Sequence, residues 1–101
     1  MPIIRTICFT TNRADQQEML ARRAALIDAV RARLPGLVET TLSLLDDDRP
    51  EHDRWMDIWR WDSADSVKAA TDAAPAWPET AAAFSLTRDI VASQGAVIDE
   101  R

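Results

Sequence analysis

Tyrosine is missing altogether, and the 101-residue chain holds only one cysteine, one histidine and two glycines. Each shortage excludes something. A lone thiol, Cys8, permits no intrachain disulfide and points to a reducing cytoplasm. With glycine only at Gly36 and Gly95, there is no Gly-rich phosphate loop. No Ser/His/Asp grouping has supporting context either, so NAD, ATP and hydrolase chemistry find no foothold. Positive charge is also short. The formal net charge of −5 leaves no basic footprint for nucleic acid or an anionic membrane surface. No apolar run approaches the ~20 residues of a membrane span. The opening MPIIRTICFTTNR lacks the basic lead and the small-residue cleavage site of a secretory signal. A hydrophobic share of 47% is that of an ordinary globular protein, so the expectation is one domain, residues 1–101, around one core.

What the chain does have is tryptophan, concentrated in residues 54–67, RWMDIWRWDSADSV. Trp55, Trp59 and Trp61 fall at odd positions with Asp57, so an extended strand turns all of them to one face. Met56, Ile58 and Arg60 take the other face. Large apolar groups on both sides suit a central strand. Asp62, Ser63 and Asp65 follow with the short oxygen-bearing side chains that start helices.

Taken in order, residues 3–10 read as a first strand, with Ile3, Ile7 and Phe9 on one face and Ile4, Thr6 and Cys8 on the other. Residues 11–14 connect it to a helix. Asp15 and Glu18 have capping-box spacing there, and Met19, Leu20, Leu26, Ile27, Val30 and Leu34 draw an apolar stripe that Pro35-Gly36 stops. A second strand spans residues 37–45, with Val38, Thr40, Leu42 and Leu44 on one side. Residues 46–53 form a charged loop, so this strand and the tryptophan strand make a hairpin. A second helix covers residues 63–74, up to Pro75. Pro78 starts a further helical piece over residues 79–84, extending toward Arg88. The last strand falls within residues 92–100, with Val97 and Ile98 at its centre and Gly95 as a bulge.

Strand, helix, strand, strand, helix, strand is the split βαβ order of ferredoxin-like α+β folds: a four-stranded antiparallel sheet with its helices on one face. The other sheet face, also apolar, then needs a cover. The expected partner is a second copy of the chain, packed sheet against sheet.

Trp61, Ser63, Asp65 and Ser66 spell W-x-S-x-(D/E)-(A/S) at the opening of a helix, and Leu34-Pro35-Gly36 precedes the second strand. In these motifs, and in element order and length over essentially the whole chain, the sequence resembles the antibiotic biosynthesis monooxygenase-like proteins. The resemblance implies a dimeric α+β barrel with a pocket between sheet and helices in each protomer. It implies no cofactor, and a small aromatic, quinol or polyketide-like substrate. By the same resemblance Asn12 and Trp61 carry catalysis, while Trp59, Trp77 and Phe84 line the substrate pocket. Two departures stand out. Haem-degrading members use a helix histidine about where Ala70 stands, and the only histidine here is His52, in the charged loop. The aromatic-substrate oxygenases of this fold are associated with tyrosine, which is missing.

Oxygenation without a cofactor needs a dry cavity, a proton acceptor and donors for a developing oxyanion. The tryptophans offer the cavity, Asn12 and an indole N–H the hydrogen bonds, and Arg60 or Arg88 the positive charge. Each assignment has a plainer counterpart. The indoles fill a core with their N–H groups on backbone carbonyls. Asn12 serves a turn, and Arg60 pairs with Asp57, Glu39 or a carboxylate of the second copy. His52 among Asp46, Asp47, Asp48, Glu51 and Asp53 is a solvated loop rather than a metal site, because nothing fixes ligand geometry. Three functions share this scaffold: a cofactor-independent monooxygenase, a non-catalytic dimeric binding protein, and a cyclase or isomerase of polyketide-like compounds.

Overall fold

Alternation builds the centre of the molecule. In the computed structural model, which describes residues 1–101, β1 (Ile3–Asn12) and β3 (His52–Trp61) run antiparallel side by side. Ile3 lies opposite Trp61, Ile7 opposite Asp57 and Phe9 opposite Trp55. Every odd-numbered side chain of both strands therefore meets its neighbours on one face. β2 (Leu37–Leu45) flanks β3 and β4 (Arg88–Ala96) flanks β1, giving the order β2-β3-β1-β4 with all pairs antiparallel. This is the split βαβ sheet expected from the element order.

The inner face is covered by α1 (Gln16–Arg33), α2 (Ala64–Ala73) and α3 (Pro78–Phe84). Met19, Leu26, Ile27 and Val30 of α1 are buried there, whereas Leu20, expected in the same stripe, is exposed. The main core joins Ile3, Leu26, Ile27, Val30, Trp59, Trp61, Val67 and Ala70, and a second cluster holds Phe9, Met19 and Trp55. Burying large rings and branched side chains of this kind stabilises by about 1.5–3 kcal/mol each. The outer face, with Ile4, Thr6 and Cys8 of β1 and Met56 and Ile58 of β3, is only part-buried and has no helix over it.

Several boundaries differ from those expected. β1 runs on to Asn12 and β3 begins at His52, because residues 10–12 pair with residues 52–54 and convert both ends of the expected loops into ladder. The Asp15–Glu18 capping box does not form. Asp15 ends a short 3₁₀ turn without a side-chain cap, and Glu18 pairs with Arg22 one turn on. Val38 does not share a face with Thr40. The register shifts between Leu37 and Glu39, so Leu37 takes the place beside Trp61 while Val38 is exposed. The last strand starts earlier and ends sooner than expected. α3 stops at Phe84, so the chain reaches the sheet edge by Arg88, and Ile98 falls beyond the strand almost fully exposed. Gly95 lies in regular register opposite Ile4; the irregularity sits between the Cys8 and Thr10 partners, where Asp89 has φ of 54°.

One corner locks the end of β3 to the start of β2. The Asp62 amide donates to the Gly36 carbonyl at 2.8 Å. Gly36 has φ of 104°, and a Cβ built on it would stand 2.2 Å from Ser66 Oγ. Glycine is required there by both backbone and space. Ser63, in extended conformation, caps α2 as expected, its hydroxyl accepting from the Ser66 amide at 3.2 Å.

Candidate functional site

Between the inner sheet face and the helices lies a cavity of about 320 Å³. Its floor is the odd-numbered row: Arg5, Ile7 and Phe9 from β1, and Asp57, Trp59 and Trp61 from β3. Met19, Arg23, Leu26 and Val30 of α1 form one wall, and Val67, Ala70 and Thr71 of α2 another. The helix that covers the rest is broken by Pro75 and Pro78, and Thr80, Ala83 and Phe84 of α3 close that side. The lining is mainly apolar, as in small-molecule sites generally.

Trp59 and Trp61 define the floor. Their rings stack with centroids 6.4 Å apart and an interplanar angle of 24°. They are 8% and 3% exposed, yet neither indole Nε1 finds a hydrogen-bond partner. The Thr80 hydroxyl, also buried, is unpartnered too. Trp55 shows the contrast: its Nε1 donates to the buried Thr11 hydroxyl at 3.0 Å. Buried donors are normally satisfied. Here three unpartnered polar atoms belong to residues that line the same cavity.

The charged groups of the lining are few. Arg23 of α1 donates from Nη2 to Asp57 Oδ1 at 2.9 Å and from Nε to Asp57 Oδ2 at 3.0 Å. Both side chains are largely buried, at 18% and 8% exposure. A bidentate guanidinium–carboxylate fork is the strong form of such a pair, and it brings the cavity wall a carboxylate without a net negative charge. Arg5 is the remaining charge. Just beyond the floor, Ser66 and Ser63 donate to Asp62 Oδ1 at 2.6 and 3.0 Å, which holds the Asp62 carboxyl below the ordinary aspartate range. No group of three or more His, Cys, Asp or Glu side chains is arranged to hold a metal ion. His52 instead sits at the start of β3, its Nδ1 3.0 Å from the Pro50 carbonyl.

Of the residues singled out from the sequence, the fold brings Trp59, Trp61 and Phe84 to the cavity. It places the other four elsewhere. Asn12 ends β1 beside a second, shallow hollow formed with Arg13, Ala14 and Glu51, and its Oδ1 accepts from Arg88 at 3.2 Å. Arg60 points from the outer face and pairs with Glu100, not with Asp57 or Glu39. Trp77 packs against the core from outside the cavity, with the Arg33 guanidinium 4.8 Å above its ring. Arg5, Arg23, Asp57 and Thr80 are lining residues that the sequence reading did not assign to the pocket. The one available signal was parity, since Arg5 and Asp57 share the odd-numbered faces of Ile7 and Trp59.

The fold recurs among solved structures. SnoaB, a cofactor-independent oxygenase from Streptomyces nogalater, matches in a single-substitution form with a TM-score of 0.76 at 21% identity, over 98% of this chain and 95% of that one. A dimeric ferredoxin-like protein from an uncultured marine organism matches at 0.68 and 14%, over 100% of both chains. A Bacillus cereus protein provisionally described as an antibiotic biosynthesis monooxygenase matches at 0.67 and 13%, over 100% of this chain and 95% of that one. At these identities the likeness is one of fold, and the family toward which the W-x-S motif pointed is represented in it. No protein-family model matches the sequence, and no curated protein matches it. No helix is long and apolar enough to cross a membrane.

Proposed function

We propose that the cavity is the active site of a cofactor-independent monooxygenase acting on a small aromatic, quinol or polyketide-like compound. The observation that carries the reading is the set of unpartnered Trp59 and Trp61 N–H groups and the Thr80 hydroxyl around an apolar space. These atoms have almost no open surface in the empty site, so a ligand oxygen satisfies them only as the indoles and Thr80 shift toward it. The bonds then strengthen as that oxygen gains negative charge. Asp57 is the one carboxylate on the wall and is the proton acceptor of the site, held in place by Arg23. Oxidation of an activated CH2 to C=O, or of a quinol to a hydroxyquinone, balances without a reductant. One oxygen atom of O2 stays on carbon, the other leaves as water with two hydrogens, and the substrate supplies all four electrons. The fold shared with SnoaB, itself a cofactor-independent oxygenase, supports the reading.

The protomers pair through the outer sheet face. Ile4, Cys8, Met56 and Ile58 form an apolar surface with no helix over it, and proteins of the same fold are dimeric. Sedimentation at micromolar concentration is expected to give twice the 11.3 kDa chain mass. A mass of one chain would rule the pairing out.

The test of activity is oxygen uptake with a panel of dihydroxy-aromatic compounds, repeated with Trp59→Phe and Trp61→Phe, which keep a ring and remove the N–H. Uptake lost in folded variants supports the oxygenase. Binding of the compounds without uptake by the native protein replaces it with a non-catalytic binding protein on the same scaffold.

A further inference from the structure

We propose that the ligand of this cavity is an anion, a planar aromatic carboxylate whose charged end is held by Arg5. The inference rests on the cavity being a ligand site, as above, but not on any oxidation. Acidic residues outnumber basic ones 17 to 12, so a cation in this chain has carboxylates in excess to pair with. Eight arginines do so: Arg13, Arg22, Arg23, Arg33, Arg49, Arg54, Arg60 and Arg101 each form an ion pair. Arg5 does not. Its one side-chain hydrogen bond is from Nη1 to the neutral Gln94 Oε1, at 3.2 Å. Yet Arg5 stands on the central strand, on the inner face, directly opposite Trp59 in the β1–β3 register.

The other charges of the lining sharpen the point. Asp57 and Arg23 neutralise each other, so the wall as a whole carries one net positive charge, at Arg5. That charge lies on the solvent side, since the Arg5–Gln94 contact is exposed, while the two stacked indoles lie deeper. An aromatic acid matches this polarity. Its ring enters the apolar space over Trp59 and Trp61, and its carboxylate stays near water against the guanidinium. A guanidinium favours a carboxylate through paired, charge-assisted hydrogen bonds.

Titration calorimetry with 2-naphthoate and its neutral isostere 2-naphthamide tests this on the native protein at pH 7. The expected result is at least about tenfold tighter binding of the acid. In Arg5→Gln the two should bind within about twofold of each other, and Arg5→Lys should keep part of the preference. Equal affinities in the native protein, a preference that survives in Arg5→Gln, or no binding of either compound overturns the proposal. Because no turnover is measured, loss of the oxygenase reading would leave this result standing, and an oxygenase indifferent to ligand charge would refute this inference alone.

Discussion

Arg23 and Asp57 meet across the interface of α1 and β3 with two hydrogen bonds, of 2.9 and 3.0 Å, and little access to solvent. A buried pair of this kind adds little relative to apolar side chains of the same size, but breaking one side is costly because the surviving charge is left desolvated. Arg23→Met should therefore lose about 3 kcal/mol of stability in urea unfolding. The double variant with Asp57→Leu should recover most of that loss. A double variant less stable than the single one would contradict this account.

The indole N–H groups make a matched comparison. Trp55→Phe removes the donor to Thr11, a hydroxyl 1% exposed, and should cost about 1–3 kcal/mol beyond the change in ring size. Trp59→Phe removes an N–H that has no partner and should be milder, within about 1 kcal/mol in the ligand-free protein. Thermal unfolding of the two variants side by side decides it. Equal losses would mean that the Trp59 N–H is satisfied in solution.

Gly36→Ala brings two penalties together: a positive φ that an L side chain resists, and a Cβ 2.2 Å from Ser66 Oγ. A loss of about 2 kcal/mol or more is expected. Adding Ser66→Gly relieves the Ser66 contact but neither the dihedral nor the 2.7 Å approach to Asp62 Oδ1, so only part of the loss should return in chemical denaturation.

The same corner gives a pH dependence. Hydrogen bonds from Ser66 and then Ser63 depress the Asp62 carboxyl in the folded protein, whereas the unfolded chain has the ordinary value of about 3.9. A depressed folded value means that the contribution is complete above the unfolded value and is lost as pH falls through the folded one. The stability advantage over Asp62→Asn should hold at pH 6 and shrink below about pH 4. An advantage that grew on acidification would reverse the assignment.

The sheet and its cavity floor were readable because strands obey parity. Trp55, Asp57, Trp59 and Trp61 share one face whatever lies around them, and the cap at Ser63 is a local matter. What parity does not reveal is partnership across the fold. Arg23 and Asp57 are 34 residues apart, and nothing near either one signals the other. The resemblance made Asn12 a pocket residue near the end of the first strand, but β1 runs two residues beyond the expected end. That carries Asn12 past the cavity to Arg88. Ile90-Val91 and Val97-Ile98 are equally apolar, so composition does not choose between them as the centre of the last strand. β4 is an edge strand whose position follows from pairing with β1 rather than from burial, and it takes in the first of the two.

The roof of the cavity is fastened along one side. Arg22 ties α1 to the Ala82 carbonyl and Ser85 hydroxyl, and Arg33 ties it to Glu79 and covers Trp77, so α3 is bonded to α1 at both ends. The Arg33–Glu79 fork faces solvent, where dissolved ions compete with it over about 10 Å at 0.1 M. The floor of stacked indoles has no such dependence. Ionic strength thus loosens the fastening of the cover and leaves the indole stack itself unchanged, while the exposed Arg5 charge is screened along with the fork.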